Sequence, residues 1–395
     1  MEINIKSLGM LLVSPLLSAF YGVVNLFNNK HNPIIIAFSL SMIFIYLPLP
    51  YDMSSNFFST QYSTSLEYLK LYNYLPFYSK GVLPYAFWVF CYTFIIFYIW
   101  FYILRDICEH KNNKRIVFTV IIFLLMLTYR DVLDLNRTYL AYSIMLFGFY
   151  NGFIGKRKGL VVTCIILAMF LHSSSILLGL LALIPSSNKR VQVLLLPLIG
   201  LLLGSYLVNF IVGNVKAFQF LLSGEVVSKI NNYTGDSVWG ISQLPISLQI
   251  RRICEWVLFY SFCIYLYLFK EKLERKDFIY SMLLFVTSVF WDYRTLYERY
   301  ALFTLMYLIV IISQIGIKSY YKMIFVVLLS FRFFIVNFYS YGHLFTCKND
   351  IVINCNPVIG NYLKLFYIPT PLLLNINIGN SDEFIYKYYT RGKVY

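Results

Sequence analysis

Long apolar runs alternate with short polar turns along almost the whole chain. They fall at about Leu8–Phe27, Pro33–Pro50, Val82–Leu104, Ile116–Tyr129, Thr138–Ile154, Gly159–Ile184, Val191–Val212, Ile253–Phe269, Phe278–Trp291, Tyr300–Ile315 and Met323–Tyr341. Most approach the length at which an α-helix crosses a bilayer, about 20 residues at 1.5 Å each. Membrane β-strands would instead alternate over segments of about 10 residues, and the sequence shows no such alternation. The pattern predicts an all-α fold, a polytopic integral membrane protein with about 11–12 transmembrane helices in one domain spanning residues 1–395. The first run is long enough to span and is read as a helix rather than a cleaved signal. Gly159–Ile184 is long for one span. It predicts either one tilted helix or a broken pair, about Leu160–Leu171 and Ser173–Ile184. Non-helical backbone at membrane depth is tolerated where it lines a cavity or is buried in protein.

Composition agrees, with 59% hydrophobic and 13% charged residues against roughly 25% charged in a soluble domain. The net charge of +15 invites a nucleic-acid reading. The basic residues, however, lie in clusters between apolar runs, as the positive-inside rule and anionic lipid head groups require, so no nucleic-acid partner is expected. Segments 28–32, 104–115, 155–158, 185–190, 270–276 and 314–322 hold 16 Lys and Arg in 43 positions. The intervening segments 1–7, 51–81, 130–137, 213–252, 292–299 and 342–395 hold 16 in 148. The denser set is therefore assigned to the cytoplasm, which places both termini outside and requires Gly159–Ile184 to cross and return. The long loops 51–81 and 213–252 and the tail 342–395 then face outward. The cytoplasmic loops are too short for a soluble catalytic domain, so chemistry is expected at the outer face.

Four polar constellations stand out. Arg130, Asp131, Asp134 and Arg137 interrupt the apolar pattern before the fifth run. Arg137 can snorkel or pair with Asp134, or it can clamp an anion through its planar guanidinium. His172, followed by Ser173, Ser174 and Ser175, lies inside the sixth run. A lone histidine is usually a packing residue, but three adjacent serines suggest a polar pocket. There it can act as a general base or as a neutral donor to a leaving oxygen. Arg251 and Arg252 precede the eighth run, where they either anchor lipid phosphates or bind substrate, and Glu255 stands close enough to pair with them. Asp292, Arg294, Glu298, Arg299 and Tyr300 form a second charged knot. Arg294 and Glu298 can simply pair at i,i+4, either carboxylate is a candidate base, and Arg299 opens its run as Arg137 opens another. Arg332 sits within the last run and must face protein or a cavity. Trp239 in the outer loop suits stacking on a sugar ring. The seven cysteines show no CxxC and no metal-ligand spacing, although Cys347 and Cys355 can pair in an oxidising space. The chain carries no P-loop, DxD, HExxH or GxSxG motif, which argues against ATP-driven transport and cytosolic nucleotide-sugar transfer.

Arg137–Ala141 as RxxLA, the basic turn GKRK and then AMFLHSSSILL resemble the core of the EpsG/Wzy-type polysaccharide polymerases. ERYALF around Arg299 is similar to an arginine-tyrosine element near that family's C-terminal spans. The loop LPLPYDMSSNFFSTQY resembles its early Asp-Tyr segment, without the usual Gly-x-Asp-Tyr form, and supplies Asp52. The resemblance covers roughly residues 35–341. It implies a glycosyltransferase of the bacterial cytoplasmic membrane that polymerises undecaprenyl-diphosphate-linked repeat units for O-antigen or capsule at the outer face, with no cofactor and no metal. The implied partners are lipid-linked donor and acceptor, membrane lipids, a chain-length regulator and a flippase. On this reading His172, Arg137, Arg299 and Glu298 are the catalytic candidates. Arg130, Arg251, Arg252, Arg294, Tyr300, Trp239 and Asp52 are the substrate-binding candidates. An O-antigen ligase using the same donor, or a flippase or transporter of lipid-linked sugar, are the alternatives. A flippase would be expected to carry internal repeats, and none is visible.

Overall fold

The computed structural model describes residues 5–28, 30–50, 84–109, 113–154, 158–172, 174–181, 184, 190–217, 231–234, 246–315, 317–340, 342–346 and 355–389. Among the described residues there is no strand. The helices in chain order are α1 (Ile5–Val13), α2 (Pro15–Phe27), α3 (Pro33–Tyr46), α4 (Tyr85–Glu109), α5 (Asn113–Met126), α6 (Tyr129–Leu133), α7 (Asn136–Phe149), α8 (Lys158–Leu171) and α9 (Ser175–Leu181). They continue with α10 (Arg190–Ala217), α11 (Ile246–Phe269), α12 (Arg275–Val289), α13 (Arg294–Gln314), α14 (Ser319–Phe334), α15 (Gly342–Thr346), α16 (Cys355–Tyr367), α17 (Thr370–Leu373) and α18 (Asp382–Tyr388). Among the described residues, five helical stretches are long and apolar enough to cross a membrane: 86–109, 190–214, 249–269, 294–314 and 319–339. Four shorter helical stretches, 15–27, 33–46, 115–126 and 159–171, are also apolar. The chain is an all-α polytopic membrane protein. Loop 51–81, most of 213–252, Ser173 and Cys347 lie outside the described residues.

Helix α13 is the axis of the bundle. Every side chain from Tyr300 to Ser313 is buried, so it is apolar all round because it is surrounded by protein. Helix α12 packs on α13 and also on α10. Gly200 and Gly204 of α10 allow that second contact. A Cβ on Gly204 would lie 2.5 Å from the Val289 carbonyl oxygen, and one on Gly200 2.7 Å from that of Phe285. This is the small-residue packing that lets membrane helices approach backbone to backbone.

Polar contacts gather at the two ends of the bundle. One end joins Tyr129 to Pro48 and to Asn337, Arg130 to Glu298, Arg332 to Asp131 and Asp292 to Ser205. The opposite end joins His31 to Phe101, Tyr150 to Asp106, Arg190 to Glu271, Tyr307 to Lys276 and Lys318 to the Phe269 ring. Each turn in the densely basic set that is described lies at the second end. There Glu274 precedes α12, and its carboxyl is held below the usual range, first by a hydrogen bond from Lys276, despite opposing desolvation.

One element differs from the sequence expectation, one decides between two alternatives that the sequence left open, and one makes contacts that the sequence did not indicate. The run Leu8–Phe27 is not one helix. It breaks at Ser14, whose extended backbone and side-chain oxygen cap the amide of Leu16 at 3.2 Å, with Pro15 at the first helical position. Helix α1 folds back along α2, so Ser7 shares a small cavity with Ser18, Asn25 and His31. The run Gly159–Ile184 breaks at His172, choosing the pair over the tilted helix. A Cβ on Gly179 of α9 would meet Ile165 of α8 at 2.6 Å, which places α9 back against α8. The tail is not a mere polar extension. Asn380 donates to the carbonyls of Ile45 and Leu47, both at 2.9 Å, Tyr46 donates to that of Leu373, and Thr370 donates to that of Leu11. Helices α16–α18 thus cap the end of α3 because they satisfy carbonyls that α3 leaves open.

Candidate functional site

The Pro48–Asn337 end carries a closed ring of six alternating charges from four helices. Asp131 of α6 accepts from Arg332 of α14 at 2.7 Å, and Arg332 donates to Glu255 of α11 at 2.8 Å. Glu255 accepts from Arg251 at 3.1 Å, Arg251 lies 3.9 Å from Glu298 of α13, Glu298 accepts from Arg130 of α6 at 2.8 Å, and Arg130 closes on Asp131 at 3.4 Å. Asp134 adds a further contact to Arg130 at 3.4 Å. The Arg332, Asp131 and Glu255 side chains are 3%, 1% and 3% exposed, a depth at which an unpaired charge is prohibitive. Asp131 lies in the short helix α6, outside the spans. Burial works to raise its carboxyl, but Arg332, Arg130 and Arg251 outweigh burial and hold it well below the usual carboxylate range.

Local structure aims these groups. Thr128 caps α6 through the Asp131 amide at 3.3 Å, which turns Arg130 and Asp131 into the bundle. Arg251 and Glu255 are one turn apart on α11. Arg332 stands two residues before α14 ends, and a wide helical turn, Ile335–Ser340, follows. Its Asn337 accepts from the Tyr129 amide at 2.8 Å, locking α6 to α14.

Two arginines stand outside the ring. Arg252 donates to the Trp291 carbonyl at 2.9 Å and lies 4.9 Å from the centre of the Tyr297 ring. Arg299 lies 5.3 Å from the centre of the Tyr233 ring, with 3.5 Å to its hydroxyl. No carboxylate among the described residues forms an ion pair with either. The Arg299 Nε and one Arg252 terminal nitrogen are buried without a hydrogen bond. Tyr300 stacks on Phe290 at 5.0 Å.

Below this end, the break between α8 and α9 brings His172 and Ser174 to α7. His172 is buried, with Nδ1 2.6 Å from Ser174 Oγ and 3.2 Å from the Ser174 amide. Ser174 Oγ lies 2.8 Å from the Tyr142 hydroxyl. Tyr142 is close enough to Arg299 for the guanidinium charge to act on it.

The structure therefore gathers Arg130, Arg251 and Glu298 into the ring, and Arg252, Arg299, Tyr300 and His172 around it. Glu298, a candidate base from sequence, has its carboxylate occupied by Arg130 and Arg251. It does not form an ion pair with Arg294 among the described residues; Arg294 acts on it only at longer range. Arg137 is half-buried at the start of α7. Asp52 and Trp239 lie outside the described residues. Sequence reasoning did not place Tyr142, Ser174 or Tyr233 in the site by role. Nor did it place Asp131, Glu255 and Arg332 in one ring. The available signal was three isolated charges near or inside apolar runs, which a bilayer tolerates only when they meet.

The fold and site define a polytopic helical membrane protein whose ionisable side chains converge at one end of the bundle. The family comparison is specific about which. The EpsG family model matches residues 50–351, so the chain belongs to the EpsG family, whose members are Wzy-like polysaccharide polymerases. No curated protein and no solved structure matches the chain. The matched stretch contains the whole charge ring and the break at His172.

Proposed function

We propose that this protein lengthens a bacterial surface polysaccharide at the outer face of the cytoplasmic membrane. The growing glycan is transferred from undecaprenyl diphosphate to the sugar end of a lipid-linked repeat unit, for O-antigen or capsule. The acceptor hydroxyl oxygen bonds to the anomeric carbon, the bond from that carbon to the phosphate oxygen breaks, and undecaprenyl diphosphate leaves.

One observation carries the reading. Ring charges are matched arginine to carboxylate, whereas Arg252 and Arg299, beside the ring, have no carboxylate partner among the described residues. A diphosphate supplies what they lack, because a guanidinium fork binds phosphate oxygens bidentately. Arg137 joins them as the third diphosphate ligand. His172 stands at the reacting centre, and Arg294, Tyr300, Trp239 and Asp52 contact the sugars. Arginines that neutralise the leaving charge serve the purpose a metal serves elsewhere.

Deletion of the gene tests the reading. Single repeat units capped on lipid A support a polymerase. Uncapped lipid A core would point to a ligase, and lipid-linked units accumulating in the cytoplasm to a flippase.

A further inference from the structure

We propose that helix α16 and the short α17 after it form an interfacial anchor, with one face on the bundle and the other in the lipid leaflet at the Pro48–Asn337 end. The two helices follow the family-matched stretch, which ends at residue 351. The proposal does not draw on the polymerase reading.

The inner face fixes the level at which α16 sits. Leu365 of α16 and Ile368 just beyond it join one apolar cluster with Met42 and Tyr46 of α3 and Phe90 of α4. Phe90 stands four residues inside the membrane-crossing stretch 86–109, about 6 Å along the helix axis. Helix α16 therefore rests on the flank of membrane-crossing helices, and its far side looks away from the bundle into the space that lipid fills. Two hydrogen bonds hold α17 beside it: Tyr46 donates to the Leu373 carbonyl and Thr370 to that of Leu11. Leu12 and Val13, next to that carbonyl, are themselves exposed apolar side chains of α1, so the apolar outer surface runs on from α1 to α17.

The outer face has the chemistry of a lipid contact. Ile359, Leu363, Phe366 and Tyr367 follow at i, i+4, i+7 and i+8, which puts them on one stripe of the helix. Phe366 and Tyr367 are 72% and 69% exposed, and Leu363, Leu372 and Leu374 are exposed too. Large apolar side chains gathered this way mark a membrane or protein contact rather than a water-facing surface. The polar groups of α16 turn from the stripe to the rest of the tail, where Asn361 bonds Asn380 and Lys364 donates to the Ile378 carbonyl. At 13 residues the helix is about 20 Å long, short of a hydrocarbon core about 30 Å thick. It lies in the interface and does not span.

The test is nitroxide accessibility in a cysteine-free version of the full-length protein in nanodiscs. Labels are placed at Phe366→Cys and Leu372→Cys on the proposed face, and at Glu383→Cys, an exposed position on α18, as the water-facing control. At 366 and 372, dissolved oxygen should relax the label more strongly than a water-soluble nickel chelate. The ratio should place both labels about 5–10 Å into the boundary between head groups and acyl chains. At 383 the order should reverse. Nickel access at 366 or 372 equal to that at 383 would mean that the face meets water, and would overturn the proposal. Exclusion of both reagents would overturn it as well, because a second copy of the chain or another protein would then cover the stripe.

Discussion

Arg332 shows how much one side chain holds at the Pro48–Asn337 end. It binds Asp131 and Glu255 from two other helices, and all three side chains are almost fully buried. Replacing it with Met strands two carboxylates in a dry interior, which is expected to cost about 3–5 kcal/mol. Denaturation in detergent measures the loss. Arg332→Met combined with Asp131→Asn and Glu255→Gln should regain part of it, since the penalty belongs to the unpaired charges. An additive triple variant would mean the ring is not coupled. Arg299 belongs to a different class. It faces an aromatic ring and, among the described residues, forms no ion pair with a carboxylate, so Arg299→Lys should leave stability nearly unchanged while lowering kcat about a hundredfold to a thousandfold. Arg137→Lys is expected to lose most polymerisation for the same loss of planar geometry. Polymer length on gels reads both. The sequence made these charges visible as individuals, because each interrupts an apolar run. Their pairing was not legible: Arg332 reaches partners 77 and 201 positions away, and nothing local in the chain encodes such a distance.

At the scale of elements, α10 and α12 are held by absent side chains. A Cβ on Gly204 would press on the Val289 backbone, which cannot swing away as a side chain can. Gly204→Ala should therefore cost about 1–3 kcal/mol as overpacking. Gly159→Ala, where nothing lies within 4 Å, should cost nothing, and thermal melts of the two variants compare them directly. The break at His172 was legible from length and charge together: Gly159–Ile184 is long for one span, and the basic residues that flank it require it to cross and return. The break at Ser14 was not. Hydropathy is blind to a serine and a proline inside an apolar run, although their order is that of a helix start. The docking of α16–α18 on α3 was illegible for another reason: it depends on which carbonyls α3 leaves unpaired, a property of the fold and not of the tail.

The whole molecule separates into a basic-loop end and a charge-ring end, and the proposed function requires the ring end to face outward. Single cysteines in a cysteine-free version can place the two ends. In intact cells a membrane-impermeant thiol reagent should label Gln249→Cys, near the ring, and should not reach Lys272→Cys at the opposite end; the reverse pattern would put the site on the wrong side for lipid-linked repeat units. The central claim, that Arg252 and Arg299 beside the ring bind the diphosphate of a glycan donor, is tested most directly in proteoliposomes. The purified protein is given a synthetic undecaprenyl-diphosphate-linked repeat unit, and product length is read by mass spectrometry. The wild type should build chains of several units, and Arg299→Lys, equally folded, should leave the single unit almost untouched. Chains of equal length from both proteins, or none from the wild type, would contradict the account.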